Sequence, residues 1–386
     1  MKANAVSKSN PWLYWFAVLT AFFTFLLLGL GGLVTSHEAG MSVPDWPNTC
    51  GNNMFLFPPA QWIGGIFYEH THRLLASGVG LMTTILAVWL WLKDARPWMH
   101  WLGVVAFLLV VAQGVLGGLR VTMHMDSLGI YHATIAQLFF VLTCAISLFT
   151  SRWWMNLQAG RAGSPQPADG AMRTSRPTDT SLRTLVLATT LLIFVQLIIA
   201  AAMRHQHAGL AISDFPLAHG RLWPDTSAEA VASYNAQRVS INAENPITAF
   251  QIELQMAHRV VALAILICVG ITVFCSRRCQ SAERAIAPPT HVGSYESTVA
   301  VRLSLFWFAL ILFQVGLGAA TIWTNKAADV ATAHVLVGAL ALAVGALWCA
   351  IAFRESVAAI HDRQTEDRRL PNPAAIGAQP AMTGNK

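Results

Sequence analysis

Apolar residues run along the chain in eight long blocks separated by polar stretches. By their charge-free limits the blocks fall at roughly 11–35, 66–92, 97–119, 128–151, 184–203, 249–276, 303–323 and 330–353, the second and sixth with polar outer ends. Crossing about 30 Å of hydrocarbon takes about 20 apolar residues in a helix, and each block is long enough. The first run, Trp12 to Val34, is too long for the apolar region of a secretory signal and lacks a small-residue cleavage site, so it reads as a retained helix. The pattern predicts an all-α polytopic membrane protein with eight transmembrane helices.

Composition strengthens this reading. Of 386 residues, 55% are hydrophobic and 11% charged, against about 25% charged in an ordinary soluble chain; mean hydropathy is +0.50. Lipid is therefore the expected solvent. The net charge of +6 is to be read by side of the membrane, and no nucleic-acid partner is expected. With the N-terminus on the cytoplasmic side, 18 of the 25 Lys and Arg residues lie inside. The other seven are Arg73, Arg120, Arg204, Arg221, Arg238, Arg259 and Lys326. The positive-inside rule thus puts both termini in the cytoplasm of a cell whose inner membrane holds the protein. Two inner connections, about 152–183 and 277–302, and the tail after about 356 are polar and read as flexible linkers. The six cysteines form no CxxC pair, which gives little support to a zinc or disulfide scaffold.

The chain also repeats itself. Ala39-Gly-Met-Ser-Val-Pro-Asp-Trp-Pro47 follows the first block and Ala208-Gly-Leu-Ala-Ile-Ser-Asp-Phe-Pro216 the fifth, with an offset of 169 residues and four identities in nine. His72-Arg73 is echoed by His258-Arg259, and Gln113-Gly-Val-Leu-Gly117 by Gln314-Val-Gly-Leu-Gly318. The expected organisation is an N-terminal four-helix half over 1–150, a linker over 151–183, a C-terminal four-helix half over 184–355 and a tail over 356–386. Each half has an even number of helices, so both insert the same way up. Two four-helix bundles related by a pseudo-two-fold axis along the membrane normal follow.

Four histidines carry the candidate chemistry: His72, His132, His258 and His334. Each lies a few residues in from the outer end of an even-numbered helix, at a similar shallow depth. Ionisable groups at this depth are costly and usually functional. A single such histidine is often only a helix–helix hydrogen bonder; four at matched depth, paired by the repeat, argue for axial ligation of haem iron. Zinc is a weaker rival, because no Cys or Asp cluster accompanies them. Gly114, Gly117, Gly118, Gly316, Gly318, Ala319 and Ala320 either admit a flat macrocycle or simply pack helices tightly. Three residues before the histidine the first half has Glu69 and the second has Gln255, which suggests one reactive site and one electron-transfer site. Glu69 would share the helix face of His72, or else pair with Arg73 and only anchor the helix. Arg73, Arg120, Arg204 and Arg259 lie at the outer boundary, where they meet haem propionates or snorkel to headgroups. His70 is read as interfacial. His37, His124, His205, His207 and His219 belong to the outer loops, and His100, His291 and His361 to the inner side.

Glu69-x-x-His72-Arg73, the histidines at 132, 258 and 334, and the Ala-Gly-x-Ser-Val-Pro-Asp-Trp-Pro loop together resemble the haem A synthase family, over about residues 12–353. The resemblance implies oxidation of the C8 methyl of haem O to a formyl group, giving haem A for terminal oxidases. It implies a permanent haem b on His258 and His334, with Arg259 near it, and a substrate haem O on His72 and His132, with Arg73 near it. Glu69 matches the family's catalytic glutamate. Haem O synthase is the implied upstream partner, alongside an unidentified electron donor and the lipid bilayer, and the reading leaves room for a homo-oligomer. Some members carry a cysteine pair in the first outer loop, where this chain has only Cys50. Two other readings compete. A di-haem b-type electron-transfer cytochrome would hold both haems permanently, and a transporter with parallel repeats would explain the duplication but not the histidines.

Overall fold

The computed structural model describes residues 10–125, 127–156, 177–238, 246–286 and 293–367. Each apolar block becomes one helix: α1 (Pro11–Ser36), α2 (Gly65–Lys93), α3 (Pro97–Thr122), α4 (Ser127–Thr150), α5 (Pro177–His205), α7 (Ala249–Ile286), α8 (Gly293–Trp323) and α9 (Ala328–Asp367). These eight are the helices long and apolar enough to cross a membrane, and among the described residues there is no β-strand. A ten-residue helix, α6 (Ala228–Gln237), is added in the second large outer loop. The start of α1 is set by Asn10, whose side chain accepts from the N–H of Trp12 at 3.1 Å, with Pro11 in the first turn where its missing N–H costs nothing. Within the spans, hydroxyls return to their own helix: Thr20 donates to the Phe16 carbonyl and Thr83 to the Val79 carbonyl, each at 2.8 Å. These hydroxyls thus satisfy their own donors without leaving the helix.

The helices close into two rings. In the first, α1 packs on α2 and α4, and α3 on α2 and α4; in the second, α5 packs on α7 and α9, and α8 on α7 and α9. The rings meet through α1 on α9, α4 on α9 and α4 on α5. Leu13, Leu86, Leu90, Met99 and Ile146 fill the first ring near its inner end, where α1 begins, and Val186, Val269, Trp307 and Trp348 fill the second. These best-buried apolar residues lie toward the end of each ring away from its histidines.

The inner connections differ from the linkers expected. α7 continues to Ile286 and α8 starts at Gly293, so most of 277–302 is helical; Gln280 donates to Thr298 Oγ1 at 3.1 Å across the pair. α9 runs on to Asp367, through the first part of the expected tail. At the 151–183 linker, one helical turn at 152–156 follows α4, and α5 already begins at Pro177. The physical reason is that Arg, Gln, Glu and Ala are good helix formers whatever their polarity. Loss of an apolar run marks the edge of the lipid, not the end of the helix. Lys2, Lys8, Arg161, Arg173, Arg176, His291, Arg368, Arg369 and Lys386 lie outside the described residues.

Candidate functional site

The four histidines come together in two pairs, one per ring. His258 on α7 and His334 on α9 face each other with ring centres 6.4 Å apart and planes at 63°. Imidazole binds a metal such as zinc at about 2 Å, and its nitrogen lies about 1 Å from the ring centre, so two rings on opposite sides of one ion stand ~6 Å apart. The separation of the second pair matches that of two imidazoles on one metal ion. His72 on α2 and His132 on α4 are close enough to interact electrostatically. The Nδ1 atoms of all four rings are buried and have no hydrogen-bond partner. Unpaired buried nitrogens of this kind are costly in an apolar ring and call for a ligand or a shared proton.

The glycine echo in the sequence acquires a reason here. The imidazoles of His132 and His334 face the main-chain carbonyls of Gln113 and Gln314. Gly117 and Gly318 stand one helical turn after those glutamines, and a Cβ on them would lie 3.4 and 3.1 Å from the facing imidazole Cε1. At Gly318 a side chain would press on the ring, and at Gly117 it would just reach contact with it. Gly31 on α1 backs His72 in the same way, at 3.2 Å.

The halves differ behind the histidines. In the second, Gln196 Nε2 donates to the His258 carbonyl and Gln314 Nε2 to the His334 carbonyl, each at 2.9 Å. In the first, Gln113 Nε2 is buried without a partner, and the residue in register with Gln196 is Leu27. Both histidine-bearing helices of the second pair are thus pinned at the histidine itself, and the first pair lacks that bracing.

Above each pair the repeated outer loop is fastened by the same bonds. Asp45 accepts from the N–H groups of Cys50 and Gly51, both at 2.8 Å, and Asp214 from those of His219 at 2.7 Å and Gly220 at 2.8 Å. Arg73 Nη1 donates to the Asp45 carbonyl at 2.6 Å and the Asn48 carbonyl at 2.9 Å; Arg259 donates to the Asp214 carbonyl at 2.7 Å and the Leu217 carbonyl at 2.8 Å. Both loops carry a cis proline, Pro47 and Pro216. Burial alone would raise the Asp45 and Asp214 carboxyls, but their backbone N–H donors hold both below 3.8, with Arg73 and His219 adding to the effect.

Glu69 and Gln255 do the same work by different chemistry. Both are buried, at 4% and 2% exposure. Gln255 pairs with both backbone groups of Ile212, its Oε1 accepting from the N–H at 2.6 Å and its Nε2 donating to the carbonyl at 3.2 Å. Glu69 Oε2 accepts from the Val43 N–H at 2.9 Å, but a carboxylate has nothing to donate to the Val43 carbonyl. Arg73 Nη2 supplies that donor at 3.0 Å and closes an ion pair with Glu69 Oε1 at 2.6 Å.

Several expected placements change. The guanidinium groups of Arg73 and Arg259 donate to loop carbonyls. Arg120 packs against Gly40, where a Cβ would meet its Nη1 at 2.7 Å. His70 is fully buried under the first outer loop: its Nδ1 lies 3.1 Å from Thr49 Oγ1, between Phe57 and Trp62. His37 stacks on Tyr68 and His219 on Tyr234, so these two outer-loop histidines are held rather than simply solvated. Burial pulls the His219 pKa below 6.5, against the pull of Asp214. The loop-fastening role of Asp45, Asp214 and Gln255 was not anticipated, although the shared Asp of the two loops was the available signal.

Known proteins resemble this chain over most of its length. The model of the COX15-CtaA family, described as cytochrome oxidase assembly protein, matches residues 14–345. A protein named Heme A synthase from Rhizorhabdus wittichii is 26% identical over 367 residues, covering 86% of this chain and 91% of that protein. Another of that name from Shouchella clausii is 28% identical over 216 residues, covering 55% and 66%. A third, from Halalkalibacterium halodurans, is 28% identical over 221 residues, covering 57% and 68%. With a match that reaches from α1 into α9 and takes in both histidine pairs, the chain belongs to the COX15-CtaA family of cytochrome oxidase assembly proteins.

Proposed function

We propose that the protein is a haem A synthase of the inner membrane, oxidising the C8 methyl of haem O to a formyl group. The observation that carries the division of labour is the glutamine bracing. His258 and His334, each pinned through its own carbonyl, are suited to keep a haem b permanently. His72 and His132, without that bracing, are suited to a haem that must enter and leave. Haem bound at these pairs supplies the iron-centred redox chemistry that oxidation of a methyl group requires. The chain's residues orient and enclose it: Gly31 and Gly117 leave room behind the first pair, and the loop over 39–52 closes the outer end. Glu69 is assigned the proton of the substrate methyl, or the charge that develops there; its carboxylate also holds the Val43 N–H. Arg73 orients that carboxylate. Haem O synthase upstream and a separate electron donor complete the reading, with both termini cytoplasmic.

Extraction of pigments from the purified protein tests it. The wild type should yield haem b together with haem O or haem A. His258→Ala and His334→Ala should each remove the low-spin b-type signal, while His72→Ala and His132→Ala should keep it and lose the second haem. A b-type haem that survives loss of both His258 and His334 reverses the assignment of the halves.

A further inference from the structure

The two rings touch at a contact of small and polar residues. A Cβ on Gly29 of α1 would lie 3.4 Å from Leu336 Cδ1 of α9, and one on Gly32 would lie 3.0 Å from Thr332 Cγ2. Ser36 Oγ is 3.5 Å from Thr332 Oγ1. Arg204, in the last turn of α5, reaches across this contact and donates through Nη2 to the Gly32 carbonyl at 2.5 Å and to Ser36 Oγ at 2.7 Å. The neighbouring Gly31 backs the imidazole of His72 at 3.2 Å. On the other side Thr332, which lies against both Gly32 and Ser36, stands two residues before His334 on α9. One side chain from the second ring therefore grips the helix that supports a first-pair histidine, at the point where that helix meets the α9 turn leading to a second-pair one. Lys326, in the turn between α8 and α9, adds a second cation near Arg204.

We infer that Arg204 is a positioning residue that couples the two histidine pairs, fastening α1 to the second ring and, with Lys326, placing positive charge beside the second pair. This rests on the reading of His258 and His334 as haem ligands. The coupling has two parts. Mechanically, the two bonds tie α1, whose Gly31 backs His72, to the end of α5 in the second ring. Electrostatically, reduction of a haem iron removes a positive charge, so a nearby cation in a low-dielectric surround favours the reduced form and raises its potential. A purely structural strut would do the first and not the second.

The test is potentiometric titration of the low-spin haem in the purified full-length protein, as wild type, Arg204→Lys, Arg204→Gln and Lys326→Gln. Arg204→Gln keeps a hydrogen-bond donor and loses the charge, so its midpoint should shift to lower potential. Arg204→Lys should stay near the wild type, and Lys326→Gln should shift the same way by less. Midpoints unchanged in both glutamine variants overturn the inference. If Arg204→Gln does not retain the haem, the Lys326→Gln midpoint decides alone. A wild-type protein with no low-spin haem overturns the ligand reading instead, and the spectrum reveals that before any titration.

Discussion

At the scale of single residues, Glu69 and Gln255 share a place and differ in what they can donate. An amide offers one acceptor and one donor side and so completes both groups of Ile212, whereas a carboxylate needs Arg73 to finish the job at Val43. Glu69→Gln should therefore fold, at a cost of about 1 kcal/mol or less, and keep its low-spin haem. If Glu69 also acts on the substrate, chromatography of extracted haems should show haem O or a partly oxidised haem in place of haem A. Near-normal haem A in that strain would leave Glu69 as a loop anchor only. The reverse change is the harsher one. Gln255→Glu leaves the buried Ile212 carbonyl without its donor, and Arg259 is already committed to Asp214 and Leu217. It should destabilise the second half by roughly 1–3 kcal/mol, read as earlier thermal loss of the low-spin absorbance. The spacing Glu69–His72–Arg73 was legible in the sequence, and so was the option of an ion pair. What was not legible is that both partners also hold a loop about 25 residues upstream, since side-chain contacts to a distant backbone leave no periodic trace.

At the scale of elements, the helices were legible because the lipid enforces a long apolar run wherever the backbone crosses it. Their inner extensions were not, because a helix of Arg, Gln, Glu and Ala carries no apolar signal. The Gln-x-x-x-Gly echo on α3 and α8 was visible as a repeat, but its purpose needed the neighbouring helix in place. The two copies are not equally tight, which gives a graded prediction. Alanine at Gly318 puts a Cβ 3.1 Å from His334 Cε1, closer than ordinary contact, whereas alanine at Gly117 puts it at 3.4 Å from His132 Cε1. Gly318→Ala should displace the His334 ring and alter the electron paramagnetic resonance of the low-spin haem. Gly117→Ala should leave that spectrum alone. An unaltered spectrum in Gly318→Ala would show that the ring does not depend on this glycine.

At the scale of the whole molecule, the orientation rests on the distribution of Lys and Arg. Cys50, exposed in the first outer loop, should react in intact cells with a membrane-impermeant thiol reagent, and Cys279, at the inner end of α7, should not. Labelling of Cys279 with Cys50 silent would invert the molecule. The contact of α1 with α9 bears on a different matter, the order of synthesis. Ser36 and Thr332 meet although 296 residues separate them. At about 5–20 residues per second, a ribosome takes roughly 15–60 s to make that stretch. For that interval the first helix is in the membrane with its Gly29, Gly32 and Ser36 face against lipid, a surface built for another helix. The first pair of histidines thus acquires its final surroundings only when the last helix inserts. A chain halted before α9 carries an open flank on its oldest part.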